Sequence, residues 1–207
     1  TQEVVGTTFI DDCQWDRSAE WTSYRGTWTH DPITGVIRAT AGIQGLISYT
    51  PKGITFNGGV IDFDLWYHKT TKYSPIAGII LFTDGNSEST LNGIFLSNVS
   101  TLTREVVDGV KGPEWPGVWY DAEDVWAKIR VVVNSSNKQI VVYRNGTQIW
   151  SRTYTFTPKC YGISLMGYNM AGAGATIEFR NLVVNGVSVD ATNGIAACIP
   201  PIGGGAR

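Results

Sequence analysis

Charge is scarce in this sequence. Only 16% of its 207 residues are Asp, Glu, Lys or Arg, against a usual share of about 25%. Sixteen basic and eighteen acidic side chains leave a net charge of −2, and no basic run occurs anywhere. No nucleic-acid partner is therefore expected, because phosphate neutralisation needs clustered positive charge. Long apolar runs are also missing: nothing approaches the roughly 18 consecutive residues of a membrane helix, so no membrane span is expected. The opening Thr1-Gln-Glu-Val-Val-Gly-Thr-Thr-Phe-Ile-Asp-Asp12 has no basic start and no apolar centre. It does not read as a signal peptide, although a chain whose leader had been removed would begin this way.

Metal and nucleophile chemistry is thin as well. With only His30 and His68 present, a multi-histidine metal site is excluded. The three cysteines, Cys13, Cys160 and Cys198, stand in no Cys-x-x-Cys or Cys/His spacing, which argues against zinc. Neither a Gly-x-Ser-x-Gly elbow nor a phosphate loop occurs. Helix signals are nearly absent; the best candidate, Asp121-Ala-Glu-Asp-Val-Trp126, would make one or two turns.

What is present is aromatic and alternating. Eight Trp, nine Tyr and seven Phe accompany 24 Gly and 8 Pro, a composition that argues against disorder. In Val60-Ile-Asp-Phe-Asp-Leu-Trp-Tyr-His68, the apolar Ile61, Phe63, Leu65 and Tyr67 alternate with Asp62, Asp64, Trp66 and His68. That period of two is a strand with one dry and one wet face. Residues 128–133 and 139–143 are β-branched runs separated by turn chemistry, and Asn145-Gly146 favours a type I′ hairpin returning through 147–150. Further short strands are expected at 35–39, 45–49, 77–82, 93–96, 102–107, 161–166 and 176–184, each bounded by Gly, Pro, Asn or Asp. A dozen such strands and almost no helix predict an all-β fold: a two-sheet antiparallel β-sandwich, or jelly roll. One domain is expected over residues 1–189, followed by a C-terminal arm or tail over 190–207.

The order of motifs resembles the concanavalin A-like lectin/glucanase superfamily, in particular its laminin-G-like jelly rolls. Phe9-Ile-Asp-Asp12, Trp21-Thr-Ser-Tyr-Arg-Gly-Thr-Trp28 and Gly35-Val-Ile-Arg38 look like that fold's first strands. Gly59-Val-Ile-Asp-Phe-Asp64 resembles its first long strand. Trp126-Ala-Lys-Ile-Arg-Val-Val-Val133 with Ile140-Val-Val-Tyr-Arg-Asn-Gly-Thr147 resembles its Trp-led hairpin. Ala175-Thr-Ile-Glu-Phe-Arg-Asn-Leu-Val-Val184 resembles the closing strand beside the first. The likeness spans about residues 9–189 and its motifs determine fold rather than catalysis. It implies carbohydrate binding, sometimes glycoside hydrolysis, often with structural calcium.

Two regions offer a ligand site. Asp62 and Asp64 share a strand face about 7 Å apart, with Trp66 and His68 beyond them, and Glu178 and Arg180 of the closing strand would join them. Glycosidases need two carboxyls roughly 5–9 Å apart, but the superfamily's Glu-x-Asp-x-x-Glu signature is missing, so no catalytic residue is assigned. The plain alternative is a wet sheet face with ordinary cross-strand ion pairs. In the Pro/Gly-rich segment 112–121, Trp115, Trp119, Tyr120 and Asp121 would form a stacking platform; alternatively these rings cap the open end of the sandwich. Trp126 reads as core because it begins an apolar strand. Calcium is open: Asp84-Gly-Asn-Ser-Glu88, or Asp11, Asp12 and Asp16, could chelate it, but both groups serve equally well as turns. No metal site is assigned.

The function expected from these residues is non-catalytic, lectin-like binding of glycan on a cell or virion surface. One alternative is a structural subunit of an extracellular filament or virion, self-assembling into homo-oligomers by exchange of the strand-like 4–9 or the arm 194–202. The other is a glycoside hydrolase using Asp62, Asp64 or Glu178. An extracellular or surface-exposed location fits three glycosylation sequons, at Asn98, Asn134 and Asn145. It also fits a disulfide of Cys160 with Cys198 in the tail; Cys13 could equally be the partner, since first and last strands lie close in such a fold.

Overall fold

The computed structural model describes residues 7–40, 45–68, 75–83, 92–119, 123–168 and 175–189. Among them the chain forms fifteen strands in chain order: β1 (Thr7–Asp11), β2 (Trp21–Tyr24), β3 (Thr27–Asp31), β4 (Val36–Thr40), β5 (Leu46–Pro51), β6 (Ile54–His68), β7 (Ile76–Thr83) and β8 (Gly93–Ser97), then β9 (Arg104–Val107), β10 (Val110–Lys111), β11 (Ala127–Asn134), β12 (Gln139–Arg144), β13 (Thr147–Thr153), β14 (Gly162–Tyr168) and β15 (Thr176–Val189). They build two antiparallel sheets. One runs β13-β12-β11-β6-β15-β4-β3, with β1 also on β15; the other runs β10-β9-β8-β7-β14-β5-β2. No helix among the described residues is long and apolar enough to cross a membrane.

The spine of the first sheet is the pairing of β6 with β15, from His68 opposite Thr176 to Ile54 opposite Val189. The other edge of β15 is shared end to end, by β4 over its first half and by β1 over its second. Gly59 makes the register workable: it sits at φ +143°, and a Cβ there would lie 2.1 Å from the Asn185 carbonyl oxygen. The Asn145-Gly146 turn has positive φ at both residues (48° and 84°), as the type I′ reading required.

Alternation decides the faces. Ile61, Phe63, Leu65 and Tyr67 of β6 pack into one core with Ile129, Val131 and Val133 of β11, Ile177 and Phe179 of β15, and Ile79, Leu81 and Leu165 from the facing sheet. The second sheet is buried on its outward face too, where Leu46, Ile80, Phe95 and Met166 form a second apolar cluster with Leu102 and Val106. Within that layer Thr50 and Ser164 share a buried hydroxyl–hydroxyl bond of 2.6 Å. The first sheet therefore presents the wet, chemically varied face.

A buried polar knot ties β1 to the strands around it. The Asp11 carboxylate accepts hydrogen bonds from Trp21 Nε1 (2.9 Å) and the backbone N–H of Cys13 (3.0 Å), and meets His30 Nε2 at 3.0 Å. Tyr49 Oη lies 3.2 Å from His30 Nδ1, and the Trp21 and Trp28 rings stack on the Tyr49 ring at 4.8 and 5.3 Å. Burial pushes the Asp11 carboxyl upward, but the hydrogen bond and charge of His30 and the Cys13 and Trp21 donors outweigh it, so its pKa falls below the ordinary value. Burial, with the charges of Asp16 and Asp11, pushes the Tyr49 phenol up to about 12.

Two local expectations need correction. The strand expected at 102–107 begins at Arg104, because Ser100–Leu102 forms a 3₁₀ turn that buries Leu102. Residues 123–126 are not helical: Glu123 bridges to Tyr67, and Asp124 has φ +54° with its N–H on the Tyr67 carbonyl. Of the proposed exchange segments, 194–202 and the first part of 4–9, residues 4–6, lie outside the described residues; Thr7, Thr8 and Phe9 pair with β15 of the same chain.

Candidate functional site

The outward side chains of β4, β15, β6 and β11 meet in register. Arg38 stands opposite Glu178, Glu178 opposite Trp66, Arg180 opposite Asp64, and Lys128 opposite Asp64 in turn; Arg130 faces Asp62 and then Tyr143. Each carboxylate finds a guanidinium. Arg38 Nε donates to Glu178 at 2.6 Å, Arg180 Nε to Asp64 at 3.0 Å, and Arg130 to both oxygens of Asp62 at 2.7 and 3.1 Å. The hydrogen bond and charge of Asp62 raise the Arg130 guanidinium above its ordinary value. A bulge completes the Asp64 site. Register shifts between Arg180 and Val183, Asn181 takes φ +54°, and its Nδ2 donates to the same Asp64 oxygen at 2.9 Å.

Across this ionic lattice runs a line of rings. His68 and Trp66, two residues apart on β6, lie nearly parallel with centroids 6.0 Å apart. Trp126, entering β11, lies 6.5 Å from Trp66. The Arg180 guanidinium sits 3.9 Å from the Trp126 centroid, a cation–π contact. Asp124 closes the far end, with Oδ1 2.6 Å from His68 Nδ1. Both indoles are half-buried: held in place beneath, open above. Flat apolar surface beside fixed donors and acceptors suits a ligand with C–H faces and hydroxyl edges.

Asp62, Asp64, Trp66 and His68 are therefore brought together, and Glu178 and Arg180 join them. Trp126, expected in the core, is instead on this outer face; it precedes the alternating run and takes the outward phase. Arg38, Asp124, Lys128 and Arg130 were missed. The outward phase of Lys128-Ile-Arg130 was the available signal, but its neighbour on the next strand was not.

In the segment 112–119 both expected platform indoles pack on the sandwich, as the capping alternative has it. Trp119 is fully buried, donates from Nε1 to the Ala77 carbonyl at 2.9 Å and meets Phe63 edge-on at 6.0 Å. Trp115 is half-buried against the core, 5.9 Å from Trp150. Tyr120 and Asp121 lie outside the described residues. Asn98 is buried, its Oδ1 accepting from the Ala77 N–H (2.9 Å) and its Nδ2 donating to the Pro75 carbonyl (3.3 Å), so the nitrogen a glycan would need lies beneath the surface. Asn134 and Asn145 are exposed at hairpin tips.

Cys160 is buried and disulfide-bonded; Cys198, its expected partner, lies outside the described residues. Cys13 is a free buried thiol, pushed up first by burial and then by the Asp11 charge. For calcium, the 84–88 loop lies outside the described residues. Asp11, Asp12 and Asp16 do not converge: Asp11 is spent on the buried knot, while Asp12 and Asp16 cap the N–H groups of Gln14 and Ser18. Among the described residues no three His, Cys, Asp or Glu side chains gather for a metal.

The fold is the concanavalin A-like jelly roll. Among solved structures, the chain is similar to a carbohydrate-binding module, CBM66, from Bacillus subtilis, at 14% identity and TM-score 0.56, over 79% of this chain and 93% of that one. It is also similar to the Emp46p carbohydrate recognition domain in its potassium-bound form, at 14% identity and TM-score 0.58, over 81% and 89%. A third likeness is a prokaryotic β-1,3-1,4-glucanase (lichenase) derived from a mouse hindgut metagenome, at 11% identity and TM-score 0.59, over 86% and 98%. At these identities the likeness concerns the fold. No family model and no curated protein matches the sequence. Among these neighbours the same architecture carries a carbohydrate-binding module, a carbohydrate recognition domain and a glucanase, so the fold by itself assigns no function.

Proposed function

We propose that this protein is a non-catalytic carbohydrate-binding β-sandwich whose ligand lies on the outward face of the β6–β15 sheet. The observation that carries the reading is the half-open Trp66–Trp126 pair, bracketed by the Asp64–Arg180 and Glu178–Arg38 ion pairs. A pyranose ring would stack on the indoles while its hydroxyls bond to the charged rim. Binding rather than hydrolysis is favoured because Asp62, Asp64 and Glu178 are each held by an arginine, leaving none of them free to pass a proton to a leaving group. The disulfide at Cys160 supports an extracytoplasmic location.

The test is retention on a glycan array. Trp66→Ala and Trp126→Ala should each weaken binding at least about tenfold, or about 1.4 kcal/mol. Their melting temperatures should move by only about 2–4 °C, the scale of one lost surface contact in a chain of this size. Retention unchanged in both variants overturns the platform. Sugar release from a polysaccharide panel, lost in Asp64→Asn, would overturn the non-catalytic reading.

A further inference from the structure

Beside the indoles the same face opens into a groove of about 430 Å³, lined among others by Asp62, Lys128, Arg130, Val132 and Tyr143. Its charges do not cancel. Arg130 neutralises Asp62 through both carboxylate oxygens. Asp64, the residue opposite Lys128, is only 6% exposed, and the oxygen that anchors it is taken by Arg180 and Asn181. Lys128 itself is exposed, and its backbone N–H is fixed by the Asn145 side chain at 3.0 Å. Among the described residues no carboxylate lies against its ammonium group. One cation is left over, two residues along β11 from Trp126.

From this we infer that the groove selects a glycan bearing negative charge, a uronate or sulfated sugar, with Lys128 as the residue that discriminates it from neutral chains. The inference rests on the platform reading and adds the substrate class to it. A sugar stacked on Trp66 and Trp126 places its neighbour along β11, over Lys128 and the Tyr143 ring. A carboxylate or sulfate there gains a charge-assisted hydrogen bond that a neutral hydroxyl does not. The Asp62–Arg130 pair supplies polar edges without changing the net charge of the groove.

The experiment compares the full chain and Lys128→Gln by calorimetry against polygalacturonate, chondroitin sulfate and a neutral β-glucan, at low and high salt, with poly-glutamate as a non-sugar polyanion. The wild type should bind at least one acidic polysaccharide more tightly than the neutral one, and that preference should shrink with salt. Lys128→Gln should weaken acidic binding about tenfold and any neutral binding by much less. Equal affinity of both proteins for the acidic chains overturns the role of Lys128. Preference for the neutral glucan overturns the substrate class while leaving the platform standing. Poly-glutamate binding as tight as the best polysaccharide, and insensitive to Trp126→Ala, overturns the sugar reading in favour of plain polyanion attraction. Loss of acidic and neutral binding together in Trp126→Ala keeps the platform, so the two readings fail separately.

Discussion

Replacing Asp11 by Asn tests the buried knot that fastens β1. The substitution preserves volume but presents an amide N–H₂ where the carboxylate now receives Trp21 Nε1 at 2.9 Å and meets His30 Nε2 at 3.0 Å. Asp11 and Cys13 are fully buried, and the His30 side chain is too, so water cannot take over these bonds. Breaking one partner of a buried, hydrogen-bonded charge typically costs about 3–5 kcal/mol. For a domain of this size each kcal/mol lowers the midpoint by about 2–4 °C, so Asp11→Asn should melt about 6–20 °C lower. The pH dependence has a definite sign. The folded Asp11 carboxyl titrates below its ordinary value of 3.8, so its stabilisation is present in full above that value and is lost as pH falls through the lower, folded one. The gap between wild type and variant should narrow below about pH 4. Tryptophan fluorescence during urea or thermal unfolding would follow it. A gap under 2 °C at pH 7, or one that widens below pH 4, would refute the argument.

Two further substitutions test the packing. Trp119→Ala removes a fully buried indole and its hydrogen bond to Ala77, and should cost about 3–5 kcal/mol in chemical denaturation, whereas glycan retention by the remaining folded protein should be normal; retention lost at full stability would return Trp119 to the binding surface. Gly59→Ala drives a methyl carbon to 2.1 Å from the Asn185 carbonyl, and should cost at least about 2 kcal/mol through strain at the β6–β15 junction; an unchanged urea midpoint would show that the junction gives way.

The sequence carries the local periods well and the pairings poorly. The two-residue repeat of 60–68 was enough to place Asp62, Asp64, Trp66 and His68 on one outward face, and Asn145-Gly146 was enough to set its hairpin. Nothing in the spacing says that Ala127 stands opposite Leu65, the register that brings Trp126 to Trp66. Trp119 was misplaced because its Pro/Gly-rich surroundings have no period, so no face can be read from them. Thr27-Trp-Thr-His30 does alternate, which already turns His30 inward with Trp28, but its partner Asp11 lies nineteen residues earlier on another strand. Strand faces follow from a repeat within the chain; sheet neighbours follow from the global fold.

The placement of the candidate site explains why a surface with so few charges spends its arginines as it does. Scattered exposed ion pairs contribute little to stability, because solvent screens them and long side chains resist ordering. Here the arginines sit directly across from carboxylates on neighbouring strands, and Arg180 is used twice: its Nε holds Asp64 while its plane covers Trp126. Fixing the guanidinium fixes the indole, and the Asn181 bulge fixes the carboxylate that fixes the guanidinium. On the proposed function, a ring immobilised in this way loses little further freedom when a sugar stacks on it, which removes one of the ordering costs of binding. On that proposal the lattice of ion pairs preorganises an aromatic surface more than it braces the sandwich, whose stability resides in the apolar layer beneath.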